Sequence, residues 1–204
     1  MITHPTMTRA YALGLGYGNM WLVAVCLAFG LFDMATLTTA MGGTVLSLGG
    51  VVLVGGALLV LCVRFLRRGY ALPKTGAGAL SVRGRRLFGG LIALEIVGWT
   101  VLDVTLGQRH QAVWIVPLDL LIIGAHFIPL AFVFRVPAYL VMGVLWLVAI
   151  AGSMLLWPSA TVIGHASAWS TLPSVCCIAI TWLTVLFVLT SEMTRIRMGL
   201  VGLE

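Results

Sequence analysis

Glu95, Asp103, Asp119 and His126 are the residues whose types and spacing could do chemistry, and each lies within an apolar run. The stretch VPLDLLIIGAHFIPLAFVF, residues 116 to 134, carries Asp119 and His126 seven positions apart. That spacing is about 700° of helical turn, so both side chains leave the helix on one face. Glu95 and Asp103 are eight apart and share a side less tightly, and Trp99, one turn beyond Glu95, walls the same region. An ionisable group at membrane depth costs about 3 kcal/mol even on lenient scales, so it needs a partner, a proton or water.

The loop GQRHQA, residues 107 to 112, is short enough to join the two runs as an antiparallel hairpin. Residues at equal depth in such a hairpin have numbers of nearly constant sum. Glu95 then stands level with His126, and Asp103 with Asp119. A buried Glu and His can share a proton or form a neutral hydrogen bond that satisfies both. Two facing aspartates in low dielectric resist double ionisation, so one holds a proton or a cation sits between them. Asp33, at the outer end of an earlier apolar run, is expected at a similar level and as a third member. A calcium ion would want about 6–8 oxygens, more than these acids supply, which favours the shared proton. A bland reading stands beside this one: a Glu–His bond that only sets helix register, with Asp33 and Asp103 solvated near the surface.

Other patterns carry less. There is no HExxH, no Cys/His cluster and no Ser-His-Asp spacing, so no metal and no cofactor is expected. His110 and His165 fall in outer loops, and a zinc site would require them to reach down to the acids. Cys26, Cys62, Cys176 and Cys177 lie in apolar runs and read as small hydrophobes. GLGYG at 14–18 opens an apolar helix with no preceding strand, so it is not a dinucleotide loop.

The elements that position these residues follow from composition. The chain has 204 residues, 61% hydrophobic and 9% charged, against about 25% charged in soluble domains. A helix needs about 20 apolar residues to cross the bilayer core. Six segments qualify: 12–33, 43–66, 87–106, 113–134, 138–157 and 170–190. None shows barrel alternation, so the expected fold is an all-α, six-transmembrane-helix bundle forming one domain over 1–204. The polar segment 67–86, RRGYALPKTGAGALSVRGRR, is expected to be a basic cytoplasmic loop. With it inside, both termini are cytoplasmic, and every Lys and Arg except Arg109 falls on that side. Tyr11, Tyr70 and Tyr139 then mark inner ends, and Trp114, Trp157 and Trp169 outer ends. The expected location is a bacterial inner membrane. The net charge of +6 reflects loop cations that set orientation, not a nucleic-acid surface. Glu192 and Glu204 are expected in water at the inner end and tail.

Gly42, Gly49 and Gly56 recur every seven residues in the second span. A stripe without side chains lets a helix approach closely, here another helix of the same chain or, as the alternative, a second copy in a homodimer.

From Arg85 to Tyr139 the chain resembles a group of small bacterial multi-span membrane proteins of uncharacterised function. The likeness rests on GRRLFGGLIALE (84–95), VPLDLLIIGAHFIPLAFVF (116–134) and RVPAYLVMG (135–143), and covers about a quarter of the chain. It implies that Glu95 and His126 occupy the group's characteristic polar positions, and it brings no reaction with it. Asp119 stands where the group is typically apolar.

Together these features lead us to expect an outward-opening polar pocket formed by Glu95, Trp99, Asp103, Asp119 and His126, with Asp33 beside it. Its ligand would be a small cationic or lipid-soluble molecule, bound for transport or sensing. Membrane lipid is the other expected partner. Two further classes stay open: a membrane-embedded acid–base enzyme of the isomerase or cyclase type, and an accessory subunit whose buried pair is structural.

Overall fold

The computed structural model describes residues 8–41, 45–72, 74, 82–163 and 166–201. The described chain is almost entirely helical: α1 Arg9–Met41, α2 Val45–Ala71, α3 Val82–Gln108, α4 Ile115–Phe134, α5 Pro137–Leu156 and α6 Ala168–Val201. All six are long and apolar enough to cross a membrane, the fold of a multi-pass membrane protein. Helices are the outcome physics requires, because in hydrocarbon each backbone donor and acceptor must be satisfied within its own segment.

The helices outrun the apolar segments that announced them. α1 continues to Met41, α6 spans Ala168–Val201, and α2 and α3 each take residues from the 67–86 stretch. Hydropathy marks where the lipid begins, whereas backbone hydrogen bonding continues into the headgroup region. The connection from α4 to α5 is very tight. Arg135 adopts the left-handed conformation (φ 57°), donates its N–H to the Ala131 carbonyl, and is followed by Pro137 at the first turn of α5. A proline there lacks only a donor that would be unpaired anyway. A small antiparallel pair, β1 Val162–Ile163 with β2 Ala166–Ser167, lies between α5 and α6.

α1 packs on α2 and α6, α5 on α4 and α6, and α3 chiefly on α4. At the α4–α5 crossing the backbones touch: a Cβ on Gly143 would meet the Gly124 carbonyl oxygen at 2.7 Å. Only glycine permits that approach. The glycine stripe of α2 behaves differently from expectation. Gly42 lies outside the described residues, and Gly49 and Gly56 face open space. The close approach to α1 is made by Gly55, where a Cβ would lie 2.7 Å from Leu27. Gly49 and Gly56 therefore pack against no helix among the described residues, because α1 sits on the neighbouring side of α2.

The core of α1, α5 and α6 is polar at regular intervals. Asn19, Cys26 and Asp33 recur every seven residues on α1, Tyr139, Trp146 and Ser153 on α5, and Ser174 and Thr181 on α6. All eight are buried. The helices meet in register, so these residues form layers. The Tyr139 hydroxyl donates to Asn19 Oδ1 at 3.3 Å, and Asn19 Nδ2 donates to the Leu15 carbonyl at 2.8 Å. Trp146 Nε1 donates to Thr181 Oγ1 at 3.2 Å, and Thr181 in turn donates to the Cys177 carbonyl at 2.8 Å. Ser174 Oγ donates to Asp33 Oδ2 at 2.5 Å, while Ser153 donates back to the Ala149 carbonyl. Interhelical hydrogen bonds of this kind hold membrane helices together where lipid removes the hydrophobic drive to associate.

Candidate functional site

The α3–α4 seam has the register of a simple antiparallel pair. Phe88 meets Phe134 edge-on with centroids 5.5 Å apart. Two turns further on, Glu95 Oε2 lies 3.1 Å from His126 Nδ1, and beyond it Gly98 faces Ile122. Their residue numbers keep nearly one sum, which places Asp103 and Asp119 on the next rung. Asp103 is exposed on the bundle surface yet close enough to Asp119 to act on it electrostatically.

The Glu95–His126 pair is a closed unit, with side-chain exposures of 13% and 8%. Its imidazole lies edge-on to Phe127, which packs against Trp146 and ties the seam to the α1–α5–α6 core. α4 carries Pro129 one turn beyond His126 and still runs unbroken from Ile115 to Phe134.

The next rung is not closed. Asp119 Oδ1 is enclosed by protein with no hydrogen-bond partner, and so is the indole Nε1 of Trp99. One is an acceptor and the other a donor, and both belong to the α3–α4 seam. An enclosed polar atom without a partner costs about 1–3 kcal/mol. Tyr11 Oη on α1 and Trp182 Nε1 on α6 are in the same state, so what sets Asp119 apart is that its unpartnered atom belongs to a carboxyl group. Beside Asp119 and Trp99, α3 and α4 leave a groove of about 490 Å³ lined by Leu94, Val97, Gly98, Val101, Leu102 and Leu118, with Thr105 supplying a hydroxyl. Sequence reasoning expected a polar pocket walled by the acids. The structure instead has an apolar groove whose lining residues Leu102 and Leu118 adjoin Asp103 and Asp119 in the chain. Leu106 also lines the groove and, seven residues after Trp99, shares its face of α3, so Trp99 stands at the edge of the groove.

Asp33 does not join Asp103 and Asp119. It is buried and accepts the bond from Ser174, because α1 packs on α6 rather than along α3. Glu192 also departs from expectation. It is 6% exposed, not solvated, and Arg195 Nη1 reaches both of its carboxylate oxygens at 2.8 Å. The i,i+3 spacing of that pair was visible in the sequence. Asn19, Thr181 and Ser174 were not singled out by sequence, although their seven-residue spacing was the signal that could have found them. Of the outer-loop histidines, His110 is exposed in the α3–α4 turn and His165 lies outside the described residues. Among the described residues, no group of three or more His, Cys, Asp or Glu side chains is placed to hold a metal ion.

Trp169 at the start of α6 is buried, packs edge-on to Trp114 at 4.9 Å and donates its indole N–H to the Trp157 carbonyl at 2.8 Å. This aromatic cluster ties the starts of α4 and α6 to the end of α5. No family model, no curated protein and no solved structure matches this chain.

Proposed function

We propose that this multi-pass protein resides in a bacterial inner membrane with both termini cytoplasmic, and that its α3–α4 seam binds a small cationic amphiphile for transport or sensing. The observation that carries this reading is the enclosed, unpartnered Asp119 Oδ1 one rung above a Glu–His pair that is already closed. A carboxylate at this depth is stabilised by a proton or by a cation, and a ligand ammonium supplies both a charge and a hydrogen-bond donor. Trp99 Nε1 offers a donor to an acceptor on the same molecule, such as a hydroxyl. The apolar groove beside the seam suits the ligand's hydrocarbon part. Glu95 and His126 hold the two helices in the register that sets Asp119 one rung beyond the closed pair.

The probe is dodecylammonium, added to the purified protein in a non-ionic detergent and followed by titration calorimetry. Saturable binding is expected, with uncharged dodecanol binding more weakly. A hydrogen bond to a charged group contributes about 1.5–3 kcal/mol, so Asp119→Asn should weaken dodecylammonium binding about tenfold or more. Equal binding by the wild type and the variant would overturn the ligand reading and leave the seam a structural one.

A further inference from the structure

A second apolar groove lies between α2 and α6, and it ends at a cation. Leu53, Val54, Ala57, Val60 and Leu61 of α2, with Leu186 of α6, line a hollow of about 320 Å³ that Arg64 closes at one end. Arg68 is one turn beyond Arg64 on the same side of α2, with Arg67 next to it, and all three are exposed. α2 carries no acid, and among the described residues no carboxylate pairs with these arginines. The contrast within the molecule is informative. Arg195 is held by Glu192, and Arg9 sits 5.2 Å from the Tyr70 ring centroid, so two other cations of the chain have partners within it.

Arg67 and Arg68 by themselves would be explained by the helix C-terminus, where cations are favoured. Arg64 is not in the last turn. It lies within the apolar span Leu48–Ala71, at the head of a groove open to lipid. An arginine at this depth extends its charge toward the interface, where its planar fork matches a phosphate. The groove below it can take an acyl chain, and the open face at Gly49 and Gly56 leaves that flank of α2 shallow.

We infer that the α2–α6 groove is a binding site for one anionic phospholipid, its phosphate held by Arg64 and Arg68 and an acyl chain lying along Leu53, Ala57 and Val60. Charge complementarity selects this occupant: the head of the groove is cationic and unpaired, while its walls are wholly aliphatic. A zwitterionic lipid would bring a cation of its own to the arginines.

Native mass spectrometry of the detergent-purified chain, with phosphatidylglycerol or phosphatidylcholine of identical acyl chains added, tests the site. The wild type should retain one phosphatidylglycerol in preference to phosphatidylcholine, and millimolar inorganic phosphate should not displace it. Each arginine near an anionic headgroup contributes enough that the double variant Arg64→Gln/Arg68→Gln should lose the preference by about tenfold or more. Arg64→Lys should keep part of it, which separates loss of charge from loss of fold. Ala57→Trp fills the groove with the arginines intact and should lower retention of both lipids. Equal retention of the two lipids by the wild type, or a preference that survives the double variant, would overturn the proposal. So would displacement by inorganic phosphate, which would reduce the site to a headgroup anion site without the groove. A dimer mass in which Ala57→Trp restores the monomer would give the face to a second copy of the chain instead.

Discussion

The α1–α5–α6 core and the α3–α4 seam both place polar side chains at heptad spacing within apolar helices, yet they differ in completeness. In the core layers, the Tyr139, Trp146 and Ser174 donors each meet an acceptor and Thr181 both receives and gives a bond, while Tyr11 Oη and Trp182 Nε1 beside the layers have no partner. In the seam, one rung is closed by Glu95 and His126, while Trp99 Nε1 and Asp119 Oδ1 have no partner. Position explains part of the difference. α6 packs against α1, α2, α4 and α5, whereas α3 has α4 as its extensive neighbour and no buried residue within its span. A helix with one neighbour can satisfy only the polar groups that point at that neighbour. Closed polar layers of this kind specify how helices assemble, and an open rung is where a ligand can still contribute.

The comparison predicts unequal responses to substitution. The largest should come from Trp146→Ala, which removes a buried aromatic in contact with Phe127 together with the hydrogen bond it donates to Thr181. A loss of about 3–5 kcal/mol is expected, read as a steep fall in thermal stability in detergent. A small loss would mean that the core layers are not what holds the bundle. Next come Glu95→Ala and His126→Ala. Each leaves a buried partner unpaired and should cost about 1–3 kcal/mol, with the double variant losing less than the sum of the two. Additive losses would separate the two residues energetically in spite of their 3.1 Å contact.

The smallest change in stability should follow Asp119→Leu. Removing an enclosed acceptor that has no partner should be neutral or stabilising, because nothing is left stranded. The same measurement of thermal midpoint checks it, and a loss as large as that of Glu95→Ala would show that Asp119 is already bonded in the resting protein. Stability would then no longer distinguish the open rung from the closed one.

The sequence by itself determined what is local along the chain. Hydropathy and length located all six spans, since crossing lipid imposes a continuous apolar run. The short 107–112 turn made α3 and α4 antiparallel neighbours, so simple counting set Glu95 level with His126. The same counting could not reach across the bundle. Asp33 and Ser174 are 141 positions apart, and only the packing of α1 on α6 brings them together. Glu192 read as solvated because it lies near a helix end, yet the surrounding helices bury it. The glycines of α2 advertised close packing without saying which face would be used, and α1 took Gly55 rather than Gly49 or Gly56. Periodicity tells which residues share a face of one helix. Which helix covers that face depends on the shapes and partners of all six together, and tertiary structure alone decided it.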